Sequence, residues 1–299
     1  MKKFLFQTIL FSLISGLIFI LVISKADGYT DGYYKKFTSP KQSSLIIGTS
    51  RAAQGLQPEV MNSILQTKIF NYAFTVMHSP FGPTYLESIK RKLNSKTTDG
   101  IFIVTVDPWS ISSWTSTPND ITTFRERSSY LKNTKFVNIN PNPWYIYNNW
   151  GRNFYELLKN KPGPVFVHND GWVEVNINMD SIAFNERLND KVNFYRQHNL
   201  TKYNYSSVRL DYIKKTILFL RKHGKVFLVR MPVHPEILKI DNELLPNFDL
   251  KIKKLSNLTQ GYLDLNTNNT EFEYTDGNHL YKDSGRTVSK IVANWISEN

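Results

Sequence analysis

Four short runs, SSLIIGTS (43–50), KIFNYAF (68–74), GIFIVTVDP (100–108) and KVFLVRMP (225–232), are apolar almost without interruption, and GYLDLN (261–266) follows in weaker form. A strand with one wet face alternates apolar and polar side chains; a strand covered on both faces reads as a continuous apolar run. Runs of this length, rich in Ile, Val and Phe, read as buried strands of a parallel sheet. Between them lie helical patterns, among them TYLESIKRKLNS (84–95) and SSVRLDYIKKTILFLRKHG (206–224), the second expected to end with Gly224 as its C-cap. Repeated strand and helix with right-handed crossovers predicts a three-layer α/β/α, flavodoxin-like fold.

The N-terminus sets a different constraint. Lys2 and Lys3 precede a run from Phe4 to Ser24 that carries no charge before Lys25. A transmembrane helix needs about 20 apolar residues, whereas the apolar core of a secretory signal is about 7–15 residues long. Ser24-Lys25-Ala26 also fits a small-x-small cleavage site, so residues 1–26 read as an anchor or a signal peptide, with length favouring the anchor. Either one places the remainder outside the cytoplasm, in the periplasm or at the cell surface. Residues 27–41, polar, glycine-containing and proline-ended, read as a tether, and 42–299 as the α/β domain.

Residues 110–205 break the pattern. They hold four of the six tryptophans, many asparagines and little clean periodicity. A stretch this long inside a domain is expected to fold as an insertion with elements of its own. It follows the third strand, at the C-terminal sheet edge where ligands bind in open parallel sheets, which suits a lid or a substrate-recognition element.

The chain has no cysteine, so thiol catalysis and cysteine-ligated metal are excluded. No histidine pair has zincin spacing and no glycine-rich phosphate loop occurs, so no metal and no cofactor are expected. The net charge of +12 points to anionic partners, and no zinc finger or aromatic RNA-binding signature argues for nucleic acid.

Chemistry is concentrated at two distant places. Ser50 stands where the first strand gives way to a helix, after Gly48, whose missing side chain permits a tight turn and close approach. The hydroxyl fits a nucleophile and fits an N-cap equally. Near the other end, YTDGNHLYKDSG places Asp276 three residues before His279 in a loop after the last strand. That spacing lets the carboxylate fold back onto imidazole Nδ1 and leaves Nε2 free to face a hydroxyl, although Asp-Gly and Asn also make ordinary turns. Both loops lie on one sheet edge.

On these residues the chain resembles the SGNH (GDSL-like) hydrolase superfamily. GTS stands where that family has Gly-Asp-Ser, and DGNH where it has Asp-x-x-His. The exported, anchored layout and Arg51 after the serine are similar to branches acting on envelope polymers, such as the lipoteichoic acid D-alanylation protein and polysaccharide O-acetyltransferases. The resemblance implies a Ser50, His279, Asp276 triad and a serine esterase or O-acyltransferase. It further implies an acylated envelope glycan or anionic polymer as substrate, and membrane proteins that hand on acyl groups as partners.

The family's remaining oxyanion donors are a glycine after the second strand and an asparagine after the third. This chain has no glycine after the second strand until Gly82, and VDPWSIS after the third holds no asparagine. Asn71, with the backbone amide of Ala73 or Phe74, is the expected substitute. The missing donors also keep open a non-catalytic envelope-assembly or polymer-binding protein of the same fold. Gly48, Arg51, His78, Asp107, Arg230 and His234 complete the residues expected to bind substrate or oxyanion on this edge. His78 equally suits a core or surface position, and Arg230 equally suits a structural carboxylate. His168, Asn169 and Asp170 in the insertion read as substrate contacts or a structural turn.

Overall fold

The computed structural model describes residues 1–150, 154–159 and 163–299. Its central sheet has five parallel strands: β1 (Ser44–Ile47), β2 (Ile69–Asn71), β3 (Gly100–Thr105), β8 (Gly224–Arg230) and β9 (Tyr262–Asp264). The strands lie in the order β2-β1-β3-β8-β9. The short strands β4 (Ser112–Trp114), β5 (Val165–Val167), β6 (Val173–Val175) and β7 (Tyr203–Tyr205) belong to the insertion. Chain order therefore reverses between β1 and β3, which makes that the switch point where the sheet edge opens into a crevice.

Side chains alternate between two covered faces, which is why the strands read as continuous apolar runs. Leu45, Ile47, Phe102, Val104, Val226 and Leu228 meet helices α2 (Tyr34–Thr38), α5 (Pro83–Lys92), α9 (Ser207–Leu220) and α11 (Phe248–Ser256). Ile46, Ile103, Phe227 and Val229 meet α3 (Ser50–Gly55), α4 (Pro58–Leu65) and α12 (Lys282–Glu298). Helix α12 is held by the stripe Val288, Val292, Ala293 and Ile296. Each fully buried side chain of this kind stabilises the fold by about 1.5–3 kcal/mol. The fold is three-layer α/β/α.

The N-terminal helix α1 (Lys2–Ile23) is long and apolar enough to cross a membrane, and its side chains are exposed over most of its length. Its last turn is different: Ile23 is fully buried, and with Ala26 joins the core cluster that holds Tyr34, Phe37 and Tyr145. The expected tether over 27–41 is accordingly not free. Tyr34 and Phe37, one turn apart on α2, bury completely, with Phe37 stacked on Tyr145 at 5.2 Å. Polar composition masked two aromatic anchors at helical spacing.

The insertion has its own elements: α6 (Tyr130–Asn133), α7 (Pro143–Asn149), α8 (Ser181–Phe194) and the β5–β6 hairpin. Residues 151–153 and 160–162 of this segment lie outside the described residues. Its two ends are fastened together, because β4 pairs antiparallel with β7 in the register Ser112↔Tyr205. The chain then returns to α9, which stops at Leu220 rather than at Gly224. Gly224 opens β8 at φ +155°, where a Cβ would lie 1.9 Å from the Gly100 carbonyl. Close strand approach, not helix termination, explains that glycine. Helix α10 (Pro235–Leu244) follows β8 and packs its Ile237 and Ile240 near Trp109 and Tyr195.

Candidate active site

Ser50 is placed by the turn after β1. Gly48 has φ +154°, and a Cβ there would lie 1.7 Å from Thr105 Oγ1, so the turn requires glycine. Its backbone is pinned on both sides: the Gly48 N–H donates to Tyr85 Oη at 3.0 Å, and its carbonyl accepts from Ser79 Oγ at 2.7 Å. Thr49, not Ser50, is the N-cap residue of α3, with its carbonyl accepting from Ala52 and Ala53. The Thr49 hydroxyl donates to Asp107 Oδ2 at 2.9 Å. Capping thus leaves the Ser50 hydroxyl free, and it lies 2.8 Å from His279 Nε2.

The other side of His279 faces Asp276. Nδ1 lies 3.0 Å from both carboxylate oxygens, and the Asn278 and His279 backbone amides each donate to Oδ1 at 3.0 Å. The loop is folded tightly enough to do this because Gly277 takes φ +81°. Lys191, on α8, adds an ion pair to Asp276 Oδ2 at 2.8 Å. Burial pushes the Asp276 carboxyl upward, but attraction to His279 and then to Lys191 outweighs it and holds the group well below the usual carboxylate range. An ionised Asp276 can accept from Nδ1–H, an arrangement in which Nε2 presents a lone pair on the Ser50 side. Arg187, one turn before Lys191, donates to the Thr275 carbonyl at 2.7 Å, so α8 grips this loop twice.

Asn278 and Asp241 were not singled out in the sequence. Asn278 Nδ2 lies 3.0 Å from His279 Nε2, and its Oδ1 accepts from Arg51 Nε and Nη2 at 3.1 and 2.9 Å. Arg51 sets the amide orientation and thereby turns the NH2 toward the imidazole. Arg51 itself is buried in a bidentate pair with Asp241, at 2.7 and 2.9 Å, and Asp241 also accepts from Trp109 Nε1 at 2.7 Å. Burial opposes the guanidinium charge, yet Asp241 more than compensates and moves its pKa up. The Arg51 guanidinium, expected to bind substrate, is instead committed to Asp241 and Asn278 and ties the Ser50 helix to the His279 loop. Asn278 sat inside the DGNH motif as a turn former, and nothing local marks Asp241.

The expected oxyanion donors are also committed elsewhere. Asn71 is fully buried, its Nδ2 donating to the Ala52 and Leu56 carbonyls at 2.9 Å and its Oδ1 accepting from the Ala73 amide at 3.2 Å. The Phe74 amide donates to Ser79 Oγ and the Gly48 carbonyl, each at 3.3 Å. Asn71 shapes the loop after β2; it does not face Ser50. Among the described residues, the backbone amides of Ser50 and Thr75 have no protein acceptor.

Both of those residues line a cavity of about 520 Å³ beside Ser50. Phe74, Tyr130, Trp150 and Val173 supply much of its apolar wall, and Thr30–Tyr33 close one side. His78 stands behind that wall. Its Nδ1 lies 2.7 Å from Thr75 Oγ1 and 3.3 Å from Tyr33 Oη, and its ring packs against Tyr130. Burial lowers the His78 pKa, with Arg125 adding to the effect. His78 thus contacts the cavity-lining Thr75 and Tyr33 and does not itself line the cavity.

The remaining expected residues do not reach the cavity. Asp107 is buried under Thr49 and the Ser110 amide, and burial raises its pKa. Arg230 is buried and pairs with Asp249 at 2.9 Å and Asp264 at 3.4 Å, which places it with structural carboxylates. His234 caps α10, its Nδ1 accepting from the Glu236 amide at 3.3 Å, and lines a separate cavity with Phe184 and Tyr274. His168 stacks on Trp172 and lies 2.9 Å from Glu174, in the β5–β6 hairpin whose turn Gly171 makes at φ +85°. The hairpin docks by main chain, the Asn71 amide donating to the Asp170 carbonyl at 2.8 Å.

No protein-family model and no curated protein matches the chain. Among solved structures, Est24, a carbohydrate acetylesterase from Sinorhizobium meliloti, aligns over 86% of this chain and 99% of its own at 11% identity, with a TM-score of 0.35. A similarity of that size leaves the functional reading to rest on the site itself.

Proposed function

We propose that the chain is a membrane-anchored serine esterase or O-acyltransferase of SGNH type, acting outside the cytoplasm on an acylated envelope glycan or polymer. One observation carries the catalytic part: Ser50 Oγ, His279 Nε2 and Asp276 form a continuous relay at 2.8 and 3.0 Å, and Ser50 opens into a cavity. In this reading Ser50 Oγ attacks the acyl carbonyl carbon as His279 Nε2 takes the hydroxyl proton. The tetrahedral oxyanion meets the Ser50 and Thr75 amides, each such donor being worth about 10²–10³ in rate. His279 then protonates the leaving alkoxide, and the acyl group stays on Ser50 as an ester. Water or a sugar hydroxyl, deprotonated by His279, attacks that ester and regenerates the serine. The apolar wall of the cavity supports transfer, because exclusion of water is all that separates transfer from hydrolysis.

The burial of Ile23 and Ala26 supports an uncleaved anchor, since cutting after Ala26 would remove two core residues. A non-catalytic polymer-binding role has one observation on its side: the Asn71, Ala73 and Phe74 donors are all occupied. Aryl acetate turnover separates the readings. The full chain is expected to give a Ser50-dependent burst of phenol, followed by deacylation that added glycan hydroxyls accelerate if transfer is the reaction. Equal phenol release from Ser50→Ala would reject the enzyme reading.

A further inference from the structure

Two elements of the insertion that both touch α1 carry exposed apolar and aromatic side chains: Trp144 and Tyr147 on α7, then Tyr155 and Leu158 in the 3-10 turn Phe154–Leu158, each more than half exposed. Solvated domains seldom display such a cluster without a partner surface. The cluster is not isolated on the molecule. Phe154, in the same turn, meets Phe19 of α1 edge-on at 5.4 Å, and α7 also touches α1.

Helix geometry turns that contact into a depth. With 22 residues, α1 is roughly 33 Å long, close to the roughly 30 Å of a bilayer's hydrocarbon core. Phe19 lies about 6 Å before the helix end at Ile23. A helix of this length spanning the core therefore carries Phe19 below the hydrocarbon boundary, and Phe154 beside it. Tyr and Trp are the side chains that settle at that boundary, apolar body inward and polar tip outward. Lys159, whose ammonium sits 4.4 Å from the centre of the Tyr155 ring, adds a cation at headgroup height. Because Ile23 is sealed into the domain core, the domain cannot swing away from α1 without exposing buried side chains.

We propose that the edge of the insertion formed by Trp144, Tyr147, Tyr155 and Leu158 lies in the bilayer interface beside α1. This inference rests on the anchored reading of α1. It also names the surroundings of the cavity: its wall Thr30–Tyr33 begins a few residues past the end of α1, so Ser50 opens close to the membrane surface and is supplied by membrane-borne acyl donors or acceptors.

The chain has no cysteine, so single cysteines report single places. Full-length Tyr147→Cys, Leu158→Cys, Leu13→Cys and Lys290→Cys are labelled with an environment-sensitive fluorophore and reconstituted in phosphatidylcholine vesicles with or without lipid carrying a shallow doxyl quencher. The expected result is blue-shifted emission, quenched by the doxyl lipid, at 147 and 158, and neither effect at 290 on the exposed face of α12. Buried emission at 13 with water-like, unquenched emission at 147 and 158 would overturn the proposal while leaving the anchor standing. Water-like emission at 13 as well would remove the anchor and the proposal together. Blue-shifted emission at 147 and 158 that the doxyl lipid leaves unquenched would assign the edge to a protein contact and reject the proposal.

Discussion

Replacing Arg51 by methionine separates a structural arginine from a substrate-binding one. The guanidinium is 4% exposed, and its partner Asp241 is 0% exposed. Removing one member of a buried pair leaves the other charged and unpaired, at about 3–5 kcal/mol. Arg51→Met also removes both hydrogen bonds to Asn278 Oδ1, so a value at the upper end is expected. Unfolding entropy near 2.1 cal/mol/K per residue gives roughly 0.55 kcal/mol/K for a domain of about 260 residues, so at that upper end Tm should fall by about 9 °C. The assay is thermal unfolding of the full chain in detergent, followed by tryptophan fluorescence. The double variant Arg51→Met/Asp241→Asn removes the unpaired charge but keeps an oxygen for Trp109 Nε1, and should unfold at a higher temperature than Arg51→Met alone. A Tm within about 2 °C of wild type for Arg51→Met, with activity lost through KM only, would refute the structural assignment and return Arg51 to substrate binding.

Other expectations follow from single contacts. Asp276→Asn removes the charge that fixes the His279 tautomer, so Ser50 reactivity should drop by about 10⁴ while the protein stays folded; a loss of less than tenfold in a rate assay would contradict the relay. Gly48→Ala forces a side chain onto Thr105 at φ +154° and should destabilise by at least about 1–3 kcal/mol, with denaturant unfolding as the check. Lys36 and Lys92 are buried against carbonyl oxygens, and burial pushes both amines down to about 7. A lysine in the unfolded chain titrates near about 10.4, so from about pH 7 to about pH 9 these two lysines bind more protons unfolded than folded and contribute stability that rises with pH; closer to pH 10 the buried tyrosines, whose pKa values burial raises, oppose that rise. Lys36→Met should flatten that rise in Tm, and an unaltered slope would exclude Lys36 as a contributor.

How much of this was legible in the sequence depends on the range of the interaction concerned. Strand burial on two faces leaves a local mark, so LIIG, FIVT and VFLV announced the parallel sheet, whereas its strand order and switch point became visible only in the structure. Asp276 and His279 were legible because one turn of chain brings them together. Ser50 was ambiguous because cap and nucleophile use one residue type; the structure puts Thr49 at the N-cap position and Ser50 Oγ 2.8 Å from His279 Nε2. Arg51 was misread because its partner lies 190 positions away on α10, and a buried bidentate pair has no local signature. Asn71 was misread for the same reason, its amide being spent on the Ala52 and Leu56 carbonyls. In the 27–41 segment, two aromatic anchors were outvoted by the lysines and glycines around them, though Lys36 is itself buried.

The central claim is that His279 and Asp276 activate the Ser50 hydroxyl. A fluorophosphonate tests it without knowledge of the substrate, because an activated serine displaces fluoride and keeps a phosphonyl group on Oγ. Intact mass and peptide mapping of the full chain should show one adduct, on Ser50, absent from Ser50→Ala and strongly slowed in His279→Gln. Wild-type protein that stays unmodified, or an adduct that persists in Ser50→Ala, would contradict the account.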